Sequence, residues 1–390
     1  MPSGFWTIWT TVALDLVGFG IVVPILALYA ERFGASPVQV GFLLASYSLA
    51  QFVGAPLLGR LSDRIGRKPV IIISLVGTAV GSIVTGAAGV LWVLFLGRIL
   101  DGLSGGSLSV AQAAVADMAP EGERERLLGL LGAAFGVGFV LGPAIGGLAS
   151  LGGPHVPFYV AGALAGANAI AAYIRLPETK VVSSAPSQRR MIPASIALRQ
   201  WAVVGFFSTL SFVGFEATFS LFGRRRFDLT EGSASVVFLC VGIVLSLVQA
   251  GLYGRVVARY GAGLVFRAGL VTVAAGLAVL AGSFQWWVLI VALLLLTIGQ
   301  GLASPSIASL VAAQAPADQR GLALGFQQSS YAVARMTGPV AATGLFQHVG
   351  VWSPYVAGAA LCVVALALVT MWGLAGRAPR SATEMPSVAH

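Results

Sequence analysis

Five ionisable side chains stand inside long apolar stretches of this sequence: Asp15, Arg98, Asp101, Glu216 and Arg335. In hydrocarbon such a group costs about 2.5 to 3.5 kcal/mol to insert, so each marks either a functional path or a buried ion pair. A carboxylate in that setting suits proton transfer. Burial favours its protonated form and a neighbouring arginine its ionised form, so a modest change of surroundings loads or releases a proton. Asp15 lies about ten residues into its stretch and Arg98 about eight into another. At 1.5 Å per residue both reach similar depth and can face each other. Asp101 falls one turn from Arg98 on the same face, either as a second proton carrier or as the partner of Arg98. Glu216 and Arg335 form a second candidate pair, coupling or static.

The elements that must hold these groups follow from composition. Of the 390 residues 57% are hydrophobic and 9% charged, against about 25% charged in a soluble domain. Such a chain cannot clothe a water-facing surface, so lipid is its solvent. Apolar windows fall at 5–29, 39–59, 69–87, 90–116, 127–150, 156–174, 201–222, 234–254, 262–282, 286–313, 321–346 and 351–374, close to the roughly 20 residues that cross a bilayer as a helix. Twelve spans put both termini on one side. The first window has no basic leader or cleavage site and is expected to be retained.

The net charge of +9 sits in short clusters between spans, which excludes a nucleic-acid face and fits the bias of basic residues to cytoplasmic loops. With the N-terminus inside, seventeen Lys and Arg are cytoplasmic against four outside, Arg32, Arg224, Arg225 and Arg226, with Arg98 and Arg335 in spans. The outer triple arginine has no explanation at this level beyond the neighbouring Asp228 and Glu231.

The halves are related. Gly59 to Gly66 lies over Gly254 to Gly261 with glycines and arginines in register, Ala119-Pro120-Glu121-Gly122-Glu123-Arg124 over Ala315-Pro316-Ala317-Asp318-Gln319-Arg320, Gly142-Pro143 over Gly338-Pro339, and Arg32-Phe33 over Arg226-Phe227. The expected organisation is a bundle over 1–174, a basic, Pro- and Ser-containing cytoplasmic linker over 175–200, a second bundle over 201–375 and a cytoplasmic tail over 376–390. Parallel halves of this kind place a substrate site near the midplane between them.

Three segments carry a family resemblance. Gly59-Arg60-Leu61-Ser62-Asp63-Arg64-Ile65-Gly66-Arg67-Lys68 resembles the signature between the second and third spans of the major facilitator superfamily. The two glycines allow close approach and a tight turn, and Asp63 among Arg64, Arg67 and Lys68 can build a network that latches helix ends. In the fifth span, Gly136-Val137-Gly138 and then Leu141-Gly142-Pro143-Ala144-Ile145-Gly146-Gly147 resemble the antiporter motif of the drug:proton efflux branch. Small residues there let helices touch, and the proline can bend one. The first two windows, from Leu14-Asp15-Leu16 to Ala55-Pro56, are similar to bacterial tetracycline and multidrug pumps. The resemblance implies an all-α membrane protein, twelve transmembrane helices in two parallel-repeat six-helix bundles. It also implies a proton-coupled exporter gated by Gly59, Asp63, Arg64, Gly66 and Arg67, and the ionisable side chains inside spans make Asp15, Arg98, Asp101 and Glu216 the residues expected to handle the proton. Arg98-Ile99-Leu100-Asp101-Gly102 matches the family's span-four motif except at Asp101. The third span has no acid where the tetracycline pumps carry one, Gly81 standing in the apparent place, and the ninth span has none either. That departure argues against tetracycline itself as cargo.

Candidates for a substrate cavity are Gln51, Gln300, Gln327, Gln328 and Arg335 with Phe212, Phe215 and Phe219. An amide inside a span also serves simply as an interhelical hydrogen bond, and a phenylalanine stripe as packing. Further polar residues inside spans are Gln112, Asn168, Gln249, Ser329 and Ser330. No phosphate loop, HExxH or paired metal-ligand cysteines occur, so neither an enzyme nor a metal site is expected. No cofactor is expected either, and the energy is that of an ion gradient. The expected partners are a small lipophilic or amphipathic compound, protons and membrane lipid, with no nucleic acid, in a monomer of the cell's inner (plasma) membrane. The alternatives are a symporter or uniporter of a sugar, metabolite or lipid, and a non-transporting receptor.

Overall fold

The computed structural model describes residues 2, 4–120, 123–179, 195–315 and 320–374, with only the backbone of Glu125, Gly321 and Leu322. The middle of the expected linker, the tail, and the Glu121-Gly122 and Pro316 to Gln319 parts of the repeat lie outside the described residues. Among those described, every regular element is helical.

Among the described residues, eleven helices are long and apolar enough to cross a membrane. Spans one to six are Phe5–Glu31, Pro37–Ile65, Arg67–Gly86, Leu91–Met118, Arg126–Ser150 and Val156–Arg175. Spans seven to ten are Ile196–Phe227, Glu231–Tyr260, Ala262–Ala281 and Trp286–Ala312, and span twelve is Ser353–Met371. The eleventh expected span is a helix over Arg320–His348, 29 residues long. It has the length, but Gln327, Gln328, Ser329, Ser330 and Arg335 make it the least apolar of the set. Large apolar side chains such as Trp92, Leu148 and Ile174 are two-thirds exposed or more, an arrangement that lipid, not water, stabilises.

Three spans are interrupted where the sequence reading has them continuous. Span four is two helices, Leu91–Ser104 and Ser107–Met118, broken at Gly105-Gly106. Span five is interrupted at Ala133, between Arg124–Gly132 and Ala134–Ser150. Span eight widens into a π-helical turn over Val248–Leu252.

The repeat is visible in backbone dihedrals. Gly66, opening span three, has φ 109° and ψ 160°, and its counterpart Gly261, opening span nine, has φ 77° and ψ 151°. After spans one and seven the paired positions are Gly34 (φ 74°) and Asp228 (φ 54°); after spans five and eleven, Gly153 (φ 121°) and Gly350 (φ 145°). Asp228 is the one non-glycine at positive φ among the described residues, and aspartate is among the few side chains that tolerate that region.

Two compact units emerge. One comprises residues 1–188, 214–246 and 336–354, the other 189–213, 247–335 and 355–390. The first therefore contains the whole leading half together with one end of spans seven, eight and eleven. The physical reason is close packing at the end where spans one and two join. Ser220 Oγ donates to Pro24 O at 2.8 Å, Gln347 Oε1 accepts from Val38 N at 3.0 Å, and Gly242 leaves no room for a Cβ against the Phe139 carbonyl. Inside the second unit, spans nine and ten meet through Gly269, Gly276 and Gly299, where an added Cβ would stand 2.6 to 2.9 Å from the facing backbone.

Candidate functional site

The interior of the first unit holds a polar cluster from spans one to four. Arg98 and Asp101, both buried, pair at 2.7 Å. The guanidinium lies over the Tyr47 ring, 4.2 Å from its centroid, and Thr78 hydrogen-bonds the Asp101 carboxylate. Asp101 is thus in contact with Arg98, as its spacing allowed. Asp15 instead accepts a 2.5 Å hydrogen bond from Ser107 Oγ, and it lies close enough to Asp101 for the two charges to interact. The expected facing of Asp15 and Arg98 is thus replaced by one pair within span four and one contact between spans one and four. Gly81 explains how the acid fits: a Cβ there would stand 2.9 Å from that of Asp101 and 2.7 Å from its amide nitrogen.

Gln51 has a structural task. Its Nε2 donates to the Gly105 carbonyl at 2.9 Å, satisfying a group freed by the break in span four. Asn168 likewise donates to Thr11 O at 2.8 Å.

At the end where spans two and three join, Arg67 is the hub. It donates to Asp63 (2.7 Å), Ser62 Oγ (2.7 Å) and Asp117 (2.8 Å). Glu178, just past span six, accepts from the backbone N–H of Arg67 (2.9 Å) and Lys68 (3.3 Å) and so caps span three with a negative charge. Gly66 is required twice, for its positive φ and because a Cβ would strike the Glu178 carboxylate. Gly59 is different: nothing lies within 4 Å of where its Cβ would be, so the close approach expected there is absent. Arg64 is exposed and lines, with Leu57, Arg60 and Leu61, a shallow groove of about 270 Å³.

The glycines of span five form two contact rows. A Cβ on Gly138 would meet Leu16, one on Gly142 would stand 2.5 Å from Gly20 Cα, and one on Gly146 would stand 2.9 Å from Ile21 O. Gly147 faces Ser235 of span eight instead. Pro143 lies inside the helix between the rows.

The candidates in the second half are more scattered. Phe215 and Phe219 are buried with tilted rings 5.2 Å apart, and Phe238 meets Phe219 edge-on at 5.7 Å. They serve the core of the first unit. Phe212 and Glu216, on the same helix, are half-buried. Gln327 is 2% exposed and packs over Gly205, Gln300 is half-buried, and Gln328 and Arg335 are exposed. Glu216 and Arg335 belong to different compact units.

The triple arginine now has a structural role at the end where spans one and two join. Arg224 approaches Glu31 at 3.8 Å, Arg225 lies over Phe346 and Arg226 over Phe222. Arg32 reaches Glu231 at 2.8 Å. The acid-base step Glu31-Arg32 thereby meets a base-acid pair from spans seven and eight. Ser107, Thr78, Asp117 and Glu178 were not singled out from sequence. An acid closing a span beside a basic loop was a usable signal for Asp117 and Glu178; an isolated hydroxyl carried none.

A duplicated bundle of membrane-spanning helices, with a charged cluster inside one half and a basic hub at a helix junction, defines a secondary-transporter architecture. The chain belongs to the Major Facilitator Superfamily, whose family description matches residues 8–255 and 244–387. It is 32% identical over 372 residues to the tetracycline resistance protein, class C, of Escherichia coli, covering 91% of this chain and 93% of that protein. It is 24% identical over 370 residues to multidrug resistance protein 1 of Bacillus subtilis, covering 93% and 94%. The crystal structure of the human organic anion transporter MFSD10 (TETRAN) superposes with a TM-score of 0.73 over 94% of this chain and 99% of that one. At 24% identity that likeness is one of fold.

Proposed function

We propose that this chain is a proton-coupled exporter of small lipophilic or amphipathic compounds, working by alternating access in the inner membrane with both termini cytoplasmic. The observation that carries the reading is Asp15. It is a carboxylate in the first span that accepts from a neutral hydroxyl, that of Ser107, while Arg98 is paired with Asp101. A carboxylate held this way can accept a proton or a cationic group and release it when its surroundings change. Similarity to proteins named for tetracycline and multidrug resistance supports export as the direction.

In this reading Asp15 carries the proton, the Arg98–Asp101 pair sets the field around it, Glu216 serves the second half, and the Arg67 hub latches the cytoplasmic side. The packed end with Arg32–Glu231 and Arg224–Glu31 is the outer one, in keeping with the seventeen-to-four bias of basic residues. Tetracycline is a less suitable cargo than a plain lipophilic compound, because Gly81 contributes no carboxylate and the acid against it, Asp101, is already neutralised. The chain acts as a monomer with lipid and substrate as its partners, without cofactor or nucleic acid.

The test is proton release from purified protein in detergent on adding a panel of lipophilic cations, tetracyclines and neutral drugs, with Asp15→Asn beside the wild type. Release by wild type alone supports competition between substrate and proton at Asp15. Release by neither sinks the assignment and turns attention to an uncoupled carrier of a metabolite or lipid.

A further inference from the structure

We propose that the half-helix Ser107–Met118 is a rod that transmits the state of Asp15 to the Arg67 hub, with Ser107 as the positioning residue at its upper end. The inference rests on the reading of Asp15 as a proton carrier.

The break that frees this rod is real in the backbone. Gly105 N–H turns back to Gly102 O (2.9 Å) and Gly106 N–H to Ser104 O (2.7 Å), and the helical pattern resumes only with Val110 N–H to Gly106 O (3.1 Å). Two side chains from other spans bracket the joint: Gln51 holds the Gly105 carbonyl on one side, and Asp15 takes the Ser107 hydroxyl on the other. The second half-helix has twelve residues, and its N-cap, Gly106, supplies no side-chain cap. An ionised Asp15 therefore does two things for it. It accepts a charge-assisted hydrogen bond from the first helical residue, and it places negative charge at the positive end of the helix. Protonation halves the first interaction and removes the second.

The far end of the same half-helix carries Asp117, which accepts from Arg67 Nε at 2.8 Å. Ten residues of helix, about 15 Å, thus separate a contact to the proton carrier from a contact to the gating hub. Continuous α-helix passes displacement along its axis, and the glycine pair lets it move without dragging Leu91–Ser104. The groups that face or flank Asp15 are few. Asp101 of span four interacts with its charge, Arg98 is paired with Asp101, Tyr47 of span two lies against Arg98, and span seven, which meets span one at Ser220 and Pro24, carries Glu216. Residues 134–150 of span five carry no titratable group, and the titratable residues of span six are Tyr159, Tyr173 and Arg175 towards its ends. Asp15 is thus the titratable group that touches the joint directly.

Hydrogen–deuterium exchange of the full-length protein in detergent across pH tests this, with rates corrected for their intrinsic pH dependence. In the wild type, amides of residues 105–109 and of the 63–68 junction should both lose protection several-fold as pH falls through the titration of Asp15. Ser107→Ala, which removes the hydrogen bond and leaves only the charge at the helix end, should show lower protection and a smaller pH response than the wild type at both places. Ser107→Thr, which keeps the hydroxyl, should restore the wild-type profile and confirms that loss in Ser107→Ala is not misfolding. Protection at the joint that ignores pH, or that responds alike in wild type and Ser107→Ala, overturns the proposal, as does a joint that responds while the 63–68 junction does not. Substrate-driven proton release measured on the same preparations separates the two readings. Release with an unresponsive joint removes the rod and leaves the exporter; a responsive joint without release removes the exporter and leaves Asp15 as a switch of other purpose.

Discussion

Arg98 and Asp101 meet at 2.7 Å one turn apart on a single helix, so the arginine of span four has its charge answered before any other span approaches it. The Tyr47 ring covers the guanidinium on another side. Asp15 is thereby left to a hydroxyl, and the site holds two acids with one base.

Removing one member of this pair should cost more than removing both. Asp101→Asn leaves Arg98 charged and buried without its ionic partner, a loss of about 3 to 5 kcal/mol. The double variant Arg98→Gln/Asp101→Asn should recover a large part of it, as a double-mutant cycle on thermal unfolding in detergent would measure. Additive losses would mean that the pair is not energetically coupled.

The two glycines of the junction between spans two and three should behave differently. Gly59→Ala meets open space within a helix and should leave unfolding unchanged or raise stability by about 0.5 to 1 kcal/mol. Gly66→Ala must hold φ near 109° and displace the Glu178 carboxylate, and should cost about 1 to 3 kcal/mol. Equal effects of the two in a thermal unfolding assay would contradict the junction geometry.

Glu178→Ala tests the same junction from outside. It uncaps two backbone N–H groups at the start of span three and should lower stability by about 1 kcal/mol. Exchange at Arg67 and Lys68 should rise, with span six unaffected.

Gly142→Leu should wedge spans one and five apart. An added Cβ would already stand 2.5 Å from Gly20 Cα, so overpacking of about 1 to 3 kcal/mol or more is expected. A Gly142→Leu protein as stable as the wild type would show that these spans do not touch there.

At the opposite end, Glu231→Arg should weaken the contact with Arg32, and the swap Arg32→Glu/Glu231→Arg should restore it. Arg32 is about half exposed, so the coupling should be no more than about 1 kcal/mol and should fall with added salt. Cysteine cross-linking between the ends of spans one and eight provides the readout.

How much of this was legible beforehand depends on which forces act locally. Span positions follow from apolar run length, and the repeat from spaced glycines, because turn backbone at Gly66 and Gly261 demands residues that tolerate positive φ. The Arg67–Asp63 contact spans one helical turn and a junction, so spacing indicated it. The spacing of Arg98 and Asp101 allowed a pair, and only the third dimension shows the contact made.

Sequence by itself determined that the chain lives in lipid, crosses it as duplicated helices and carries acids where acids are costly, since these are properties of composition and period. Tertiary structure decided what each polar group does. Gln51 serves the broken backbone of span four, Asn168 donates to span one, Glu178 caps a helix more than a hundred residues earlier in the chain, and Ser107 reaches Asp15. Each of these is a contact between distant segments, fixed by helix packing that brings unrelated positions within hydrogen-bond reach, and no local pattern of residues encodes it.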